Sequence, residues 1–257
     1  MNFINKNIYK KLFLKTLFLF VFFNLEILAK ENIVADLSEN NVEISTTFSG
    51  AEILLFGAYD GKKNDDIIVI VTGPKGKIKV EKREKKFGIW ITSKSLIFDK
   101  VPKYYYIASN RKIDKITNID EIKDKSLNLN YLKLGKVNKK LDMKEFNSWR
   151  VSLTRNMIKQ KFWKVEENSI ALNKNTLFRK TLSLPSNVTT GLFIVKILHY
   201  RNGILISKEE SKINITKSGI SANIYKIAEE YSTLYGIFAV VLAVFMGWLS
   251  NIVFRRV

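Results

Sequence analysis

Along most of the chain, apolar and polar positions alternate with the two-residue period of strands. Val42, Ile44, Thr46 and Phe48 share one face, with Glu43 and Ser45 opposite. Ala51–Ala58 is apolar on both faces apart from Glu52, and Ile67–Val71 is apolar throughout, so both are expected to be central strands. Asp60-Gly61 joins them with turn chemistry and Gly73-Pro74 ends the second. Lys75, Lys77, Lys79 and Glu81 then alternate with Ile78 and Val80, and Gly88–Ile91, Ser95–Phe98 and Tyr104–Ala108 supply three further short strands. Many short strands without a long helix over 30–110 predict a first β-sandwich-like, Ig-like domain.

The period changes over 111–168. Asn118 is placed to cap a short helix over Ile119–Lys125. Asp142 and Glu145 have capping-box spacing, and Phe146, Trp149, Leu153 and Met157 form one stripe, so 142–162 reads as an amphipathic helix within a helical connecting segment. Strand patterning returns at Thr176–Leu184, Gly191–Tyr200 and Ile204–Ile215, with Asn202-Gly203 as a hairpin turn. Residues 169–218 are therefore expected to form a second β-rich domain. The fold class expected is mainly β with some α: two sandwich-like periplasmic parts joined by a helical segment, plus one C-terminal transmembrane helix.

The two ends carry a different pattern. Lys6, Lys10, Lys11 and Lys15 precede the short apolar run Thr16–Phe23, and Ala29 offers a small residue for cleavage, as in a secretory signal peptide over 1–29. Ile27 is bulky for that site, which leaves an uncleaved anchor as the alternative. Residues 232–254 hold no charged side chain; these 23 residues are long enough to cross a bilayer, with Tyr231, Tyr235 and Trp248 near the edges. A buried helix of a soluble domain is the competing reading. Arg255 and Arg256 follow at once as topology determinants, and by the positive-inside rule they put the three-residue tail 255–257 in the cytoplasm. Over 219–231, Ile224, Ile227, Ala228 and Tyr231 share a helical face, giving either an amphipathic lead-in helix or, from Gly219, a flexible tether.

Composition narrows the chemistry. With no Cys and one His, a disulfide scaffold, thiol catalysis, thiolate metal sites and His-pair motifs are excluded. The net charge of +19 suggests nucleic acid, but a domain outside the cytoplasm never meets the chromosome, so none is expected as a partner. The densest basic run, with Lys82, Arg83, Lys85 and Lys86 near a hairpin loop, either contacts an anionic lipid surface or is a solvated lysine face. His199 lacks a nucleophile or orienting acid in any motif, and reads as a structural or surface residue. Gly73–Lys77 resembles a phosphate loop but lacks its first Gly and its Ser/Thr, and reads as a hairpin turn. Asp60, Asp65 and Asp66 sit in a polar loop without the ligand spacing of a calcium site. Alternation puts Tyr105 on one strand face and Tyr104 and Tyr106 on the other. In the apolar C-terminal segment, Gly236, Ala239, Ala243 and Gly247 form a small-residue face suited to helix association, against the reading that it is only an anchor.

Phe48–Ala58, Val71–Pro74, Gly88–Ile91 and Val101–Ser109 together resemble an alphaproteobacterial family of transmembrane proteins of uncharacterised function. The ending, Leu234–Phe238 with Gly247–Leu249 and Phe254–Arg256, resembles it too. The resemblance implies an envelope protein with a signal peptide and one C-terminal membrane helix; a permease is the partner it suggests. It carries no activity, cofactor or catalytic residue. The expected function is a non-enzymatic protein anchored in the inner membrane, without cofactors, acting through the bilayer and a second membrane protein. The alternative is a ligand- or ion-binding accessory subunit of a transporter.

Overall fold

A computed structural model describes residues 32–254 apart from 63, 175 and 219. It is mainly β, with three sheets, a helical segment in mid-chain and one apolar C-terminal helix. The strands are β1 (Ile33–Leu37), β2 (Asn41–Ile44), β3 (Gly50–Tyr59), β4 (Asp65–Thr72), β5 (Lys75–Lys86), β6 (Ile89–Pro102) and β7 (Tyr105–Ser109). After the helical segment come β8 (Trp163–Glu166), β9 (Ala171–Asn173), β10 (Leu177–Pro185), β11 (Gly191–Arg201) and β12 (Ile204–Lys217). One sheet has the order β1-β3-β10-β9 and a second the order β2-β12-β11-β4-β7-β8. β5 and β6 pair with each other as a hairpin.

The inner faces of the two larger sheets share one core. Ile53, Leu55, Phe178 and Leu182 from the four-stranded sheet meet Ile67, Val69, Val71, Phe193 and Val195 from the six-stranded sheet. The outer face of the six-stranded sheet is covered too, which makes β4 buried over nearly its whole length, as its unbroken apolar run predicts. The cover consists of α1 (Ile113–Ile116), α2 (Ile119–Asp124), a 3₁₀ turn at Leu129–Tyr131, α3 (Met143–Lys159) and the base of the β5–β6 hairpin. Asn118 caps α2 and Asp142 caps α3, each accepting from the N–H three residues on, at 2.9 and 2.6 Å. The stripe Phe146, Trp149, Leu153, Met157 is the packing face of α3. Side chains bolt the layer to the sheet: Trp163 Nε1 donates to the Pro102 carbonyl at 3.0 Å and Tyr105 OH to that of Ser126 at 3.0 Å. Tyr105 thus faces the helices while Tyr104 and Tyr106 enter the inter-sheet core, the alternation expected.

The two separate sandwich-like parts expected at 30–110 and 169–218 are replaced by one interleaved body. β10 pairs with β3 from Leu177↔Ala58 to Pro185↔Gly50, and β11 pairs with β4 from Ile194↔Thr72 to Arg201↔Asp65. The described residues from 33 onward accordingly form one unit. The reason is physical: the apolar face of each segment's strands is satisfied only by strands of the other. Other expectations shift locally. β2 ends at Ile44 rather than running on to Phe48. Ile89–Ile91 and Ser95–Phe98 belong to one strand, β6, and Gly88 lies in the turn before it. Gly73-Pro74 is where the chain leaves β4 for the separate β5–β6 hairpin, so Gly73–Lys77 is not a hairpin turn. Asn202-Gly203 does form the β11–β12 turn, both residues having positive φ (49° and 86°) as a type I′ turn requires.

At the C-terminal end α4 (Ile220–Glu230) runs into α5 (Ser232–Phe254) through backbone bonds from Tyr231 N to Ile227 O and from Tyr235 N to Tyr231 O, both 2.9 Å. The lead-in is therefore helix, not tether. Residues 1–29 and Arg255 and Arg256 lie outside the described residues.

Candidate functional site

Three features stand apart from ordinary packing. The first is buried. Asp65 and Asp66 open β4, and the antiparallel register sets Arg201 across from Asp65. Arg201 grips Asp65 through Nε and Nη2, both at 2.7 Å, and the Lys62 N–H donates to it at 2.8 Å. His199 Nε2 lies 2.9 Å from the same carboxylate and Nδ1 lies 3.3 Å from Ser207 Oγ, the cross-strand neighbour on β12. With the ring proton on Nε2, Asp65 accepts from it and Nδ1 accepts from the Ser207 hydroxyl. Asp66 is held by Arg111, with two bonds of 2.5 Å, and by Asn110 at 3.0 Å. Burial pushes the Asp65 carboxyl up, but the Arg201, Lys62 and His199 bonds outweigh it and hold it down at about 2. Asp65 and Asp66 are thus locked in a sheet, not placed in a polar loop, and only Asp60 keeps a loop position.

A serine, a histidine and an aspartate in sequence of contact invite a catalytic reading, and geometry argues against it. The His199 ring has no exposed surface, and both Asp65 oxygens are occupied by arginine. No substrate atom can reach the ring without the sheet opening. The cluster is a buried ion pair that fixes the β4–β11–β12 register. Tyr59 stacks edge-on to His199 with centroids 5.0 Å apart, and its buried hydroxyl finds no hydrogen-bond partner among the described residues.

The second feature is the β5–β6 arm. Val80, Leu96, Phe98 and Val101 bury its base against the helical layer. Beyond Val80 and Leu96 both strands are largely exposed for some six residues, about 20 Å at strand rise. Lys82, Arg83, Lys85 and Lys86, the four basic residues singled out in the sequence, lie together near its end. Lys82 pairs with Glu84 at 3.1 Å and Arg83 lies 3.7 Å from Glu81, whereas Lys85 and Lys86 have no ion-pair partner among the described residues. The turn itself is Phe87-Gly88, with φ of 49° and 83°. A type I′ turn favours Asn, Asp or Gly at both positions; a phenylalanine there costs about 1–2 kcal/mol. Phe87 is fully exposed at 103%, and Ile89 and Trp90 follow at 68% and 66%. In the sequence the basic run stands out, whereas Gly88–Ile91 patterns as an ordinary strand. The available signal was the Phe-Gly pair at a two-residue turn.

The third feature is apolar. Leu54 and Phe56, expected to be buried in a central strand, face outward and are partly exposed, because nothing covers the outer face of β1-β3-β10-β9 among the described residues. Val34, Phe56, Leu172 and Leu177 line a groove of about 640 Å³ there. α5 is the remaining exposed apolar surface. Each of its described residues is solvent-facing, and Gly236 and Gly247 have open space where a Cβ would stand. Gly236, Ala239, Ala243 and Gly247 all lie on this helix, at the spacing that the sequence gives one face.

A β-rich body of three sheets followed by one uncharged, exposed helix of bilayer-spanning length defines a membrane protein with a single C-terminal candidate span. The family described as "Putative transmembrane protein (Alph_Pro_TM)" matches residues 32–256, and the chain belongs to it. Neither the curated proteins nor the solved structures compared with it give a match.

Proposed function

We propose that this protein is a non-enzymatic inner-membrane protein whose β body faces the periplasm and binds a second membrane protein, a permease being one fitting partner. The observation that carries the reading is α5: 23 residues without charge and exposed on every side, followed in the sequence by Arg255 and Arg256. A helix of that kind is stable in hydrocarbon, and an arginine pair beyond it favours the cytoplasmic side. The uncovered groove around Val34, Phe56 and Leu177 supports a partner surface on the body, since large exposed apolar patches mark binding faces.

Topology is tested with alkaline-phosphatase fusions to the full-length leader and body. A fusion after Ser218 is expected to be active and one after Val257 inactive. The reverse pattern overturns the reading. Partner binding is tested by purification in mild detergent: the partner recovered with wild type is expected to be lost with Phe56→Lys.

The groove also supports the second reading, an accessory subunit that binds a ligand for a transporter. Its volume is that of a small-molecule site, and its lining selects an apolar or amphipathic ligand rather than an ion. Co-purification of such a molecule, displaced by Phe56→Lys with protein partners retained, favours this reading over the first.

A further inference from the structure

We infer that the β5–β6 arm is a lipid-docking device: its Phe87-Gly88-Ile89-Trp90 tip enters the interface of an anionic bilayer while Lys85 and Lys86 engage the headgroups. The inference rests on the arm alone and holds whichever partner the groove takes.

Three independent observations converge on the tip. The first is conformational. The turn needs positive φ at its first residue and would be better served by Asn, yet it holds a fully exposed Phe at φ 49°. A residue that is unfavourable both for the backbone and for water has a compensation outside the body. The second is compositional. Phe87, Ile89 and Trp90 are exposed in one four-residue stretch, and aromatic side chains are the ones that settle at headgroup depth. The third is charge. The adjoining segment carries Lys82, Arg83, Lys85 and Lys86 against Glu84, and Glu84 is already engaged by Lys82. That leaves Lys85, and Lys86 with only a longer-range attraction to Glu84, beside the apolar tip, the order in which a bilayer presents its layers: apolar depth first, anionic headgroups above.

The hairpin is also suited to shallow insertion, because the main-chain groups between its two strands are already paired. Beyond a bulge at Lys82/Arg83 the strands pair without interruption from Arg83↔Thr92 to Lys86↔Ile89, and the unpaired outer edges of this two-stranded ribbon keep the strands at headgroup depth while the tip side chains go deeper. An acidic protein groove would be recognised by the lysines, but it gives no reason for a Phe at the outermost point of the turn. The lipid surface accounts for both.

The absence of cysteine gives a clean test. Full-length protein carrying Ile91→Cys is labelled with an environment-sensitive fluorophore. It is then reconstituted in phosphatidylcholine vesicles with or without phosphatidylglycerol. Nitroxide-labelled lipid is placed either in the host vesicles or in added protein-free vesicles, so docking on the same or on a facing membrane is detected. The expected result is a blue shift and quenching that require phosphatidylglycerol and fall with salt. Replacing Lys85 or Lys86 by Gln should weaken the response about five-fold each. Phe87→Asn with Trp90→Ser should abolish it, while the circular-dichroism spectrum and thermal transition show an intact body. A label that stays in water in both arms overturns the inference. So does quenching that persists unchanged in the Phe87→Asn, Trp90→Ser protein, or that is equal without phosphatidylglycerol.

Discussion

Asp65 illustrates how one side chain ties several strands together and makes stability depend on pH. Its carboxyl and that of Glu166 are both held down at about 2. For Glu166, burial again opposes the shift, and Lys164, Lys180 and Tyr106 prevail. The native carboxylates release protons more readily than unfolded ones, so their contribution is complete above about pH 5 and is lost progressively as pH falls through about 2. Roughly 2 kcal/mol from each should vanish over that window. Urea titrations at successive pH values should show this loss, and Asp65→Asn should flatten it. At neutral pH, Asp65→Ala should cost about 3–5 kcal/mol, because it strands Arg201 and His199 in the sheet. Tyr59→Phe should act in the opposite direction and raise the melting temperature, since it removes a buried hydroxyl without a partner. Phe87→Asn should also stabilise, by about 1 kcal/mol, by relieving the turn.

Among the elements, those whose signal is local were legible in advance. The α3 stripe and its Asp142 cap, the Asn118 cap of α2, the apolar run of β4 and the Asn202-Gly203 turn each need only neighbouring residues to specify them. β8 was not legible: Trp163–Glu166 is short and half charged, and becomes a strand because β7 pairs with it in parallel. β1 and β9 likewise depend on β3 and β10. The candidate sites divide the same way. The basic residues of the arm stand in one run, whereas Asp65 and His199 are 134 positions apart and meet only through strand pairing. The small-residue face of α5 belongs to this scale as well. If Gly236, Ala239, Ala243 and Gly247 pack on a neighbouring helix, Ala243→Leu and Gly247→Leu should abolish association in a membrane two-hybrid assay, with Leu242→Ala as the silent control. Equal signals in all variants would reduce the helix to an anchor.

In the whole molecule, interleaving decides how the chain behaves as a unit. Neither 30–110 nor 169–218 holds either of the two larger sheets complete, so each expressed alone should lack a cooperative thermal transition. The full body should unfold in one step, by circular dichroism and by tryptophan fluorescence alike. Two transitions, or a folded fragment, would contradict the single-body architecture. The same architecture explains why a reading by segments misplaced the domain boundary. Two stretches of alternating residues look self-sufficient in sequence, and only the cross-pairing of β3 with β10 and of β4 with β11 reveals that they are not.

The pairing of β10 with β3 has a further bearing on how the chain is made. Gly50 must wait for Pro185, and the centre of the six-stranded sheet waits for β11 and β12, which end at Lys217. Synthesis therefore delivers well over a hundred residues before the first large sheet can close, a slow topology that leaves apolar strand edges open meanwhile. Only residues 218–231 separate the last strand from the apolar helix. The hydrophobic segment emerges almost as soon as folding becomes feasible, so the chain meets its membrane while its body is still assembling.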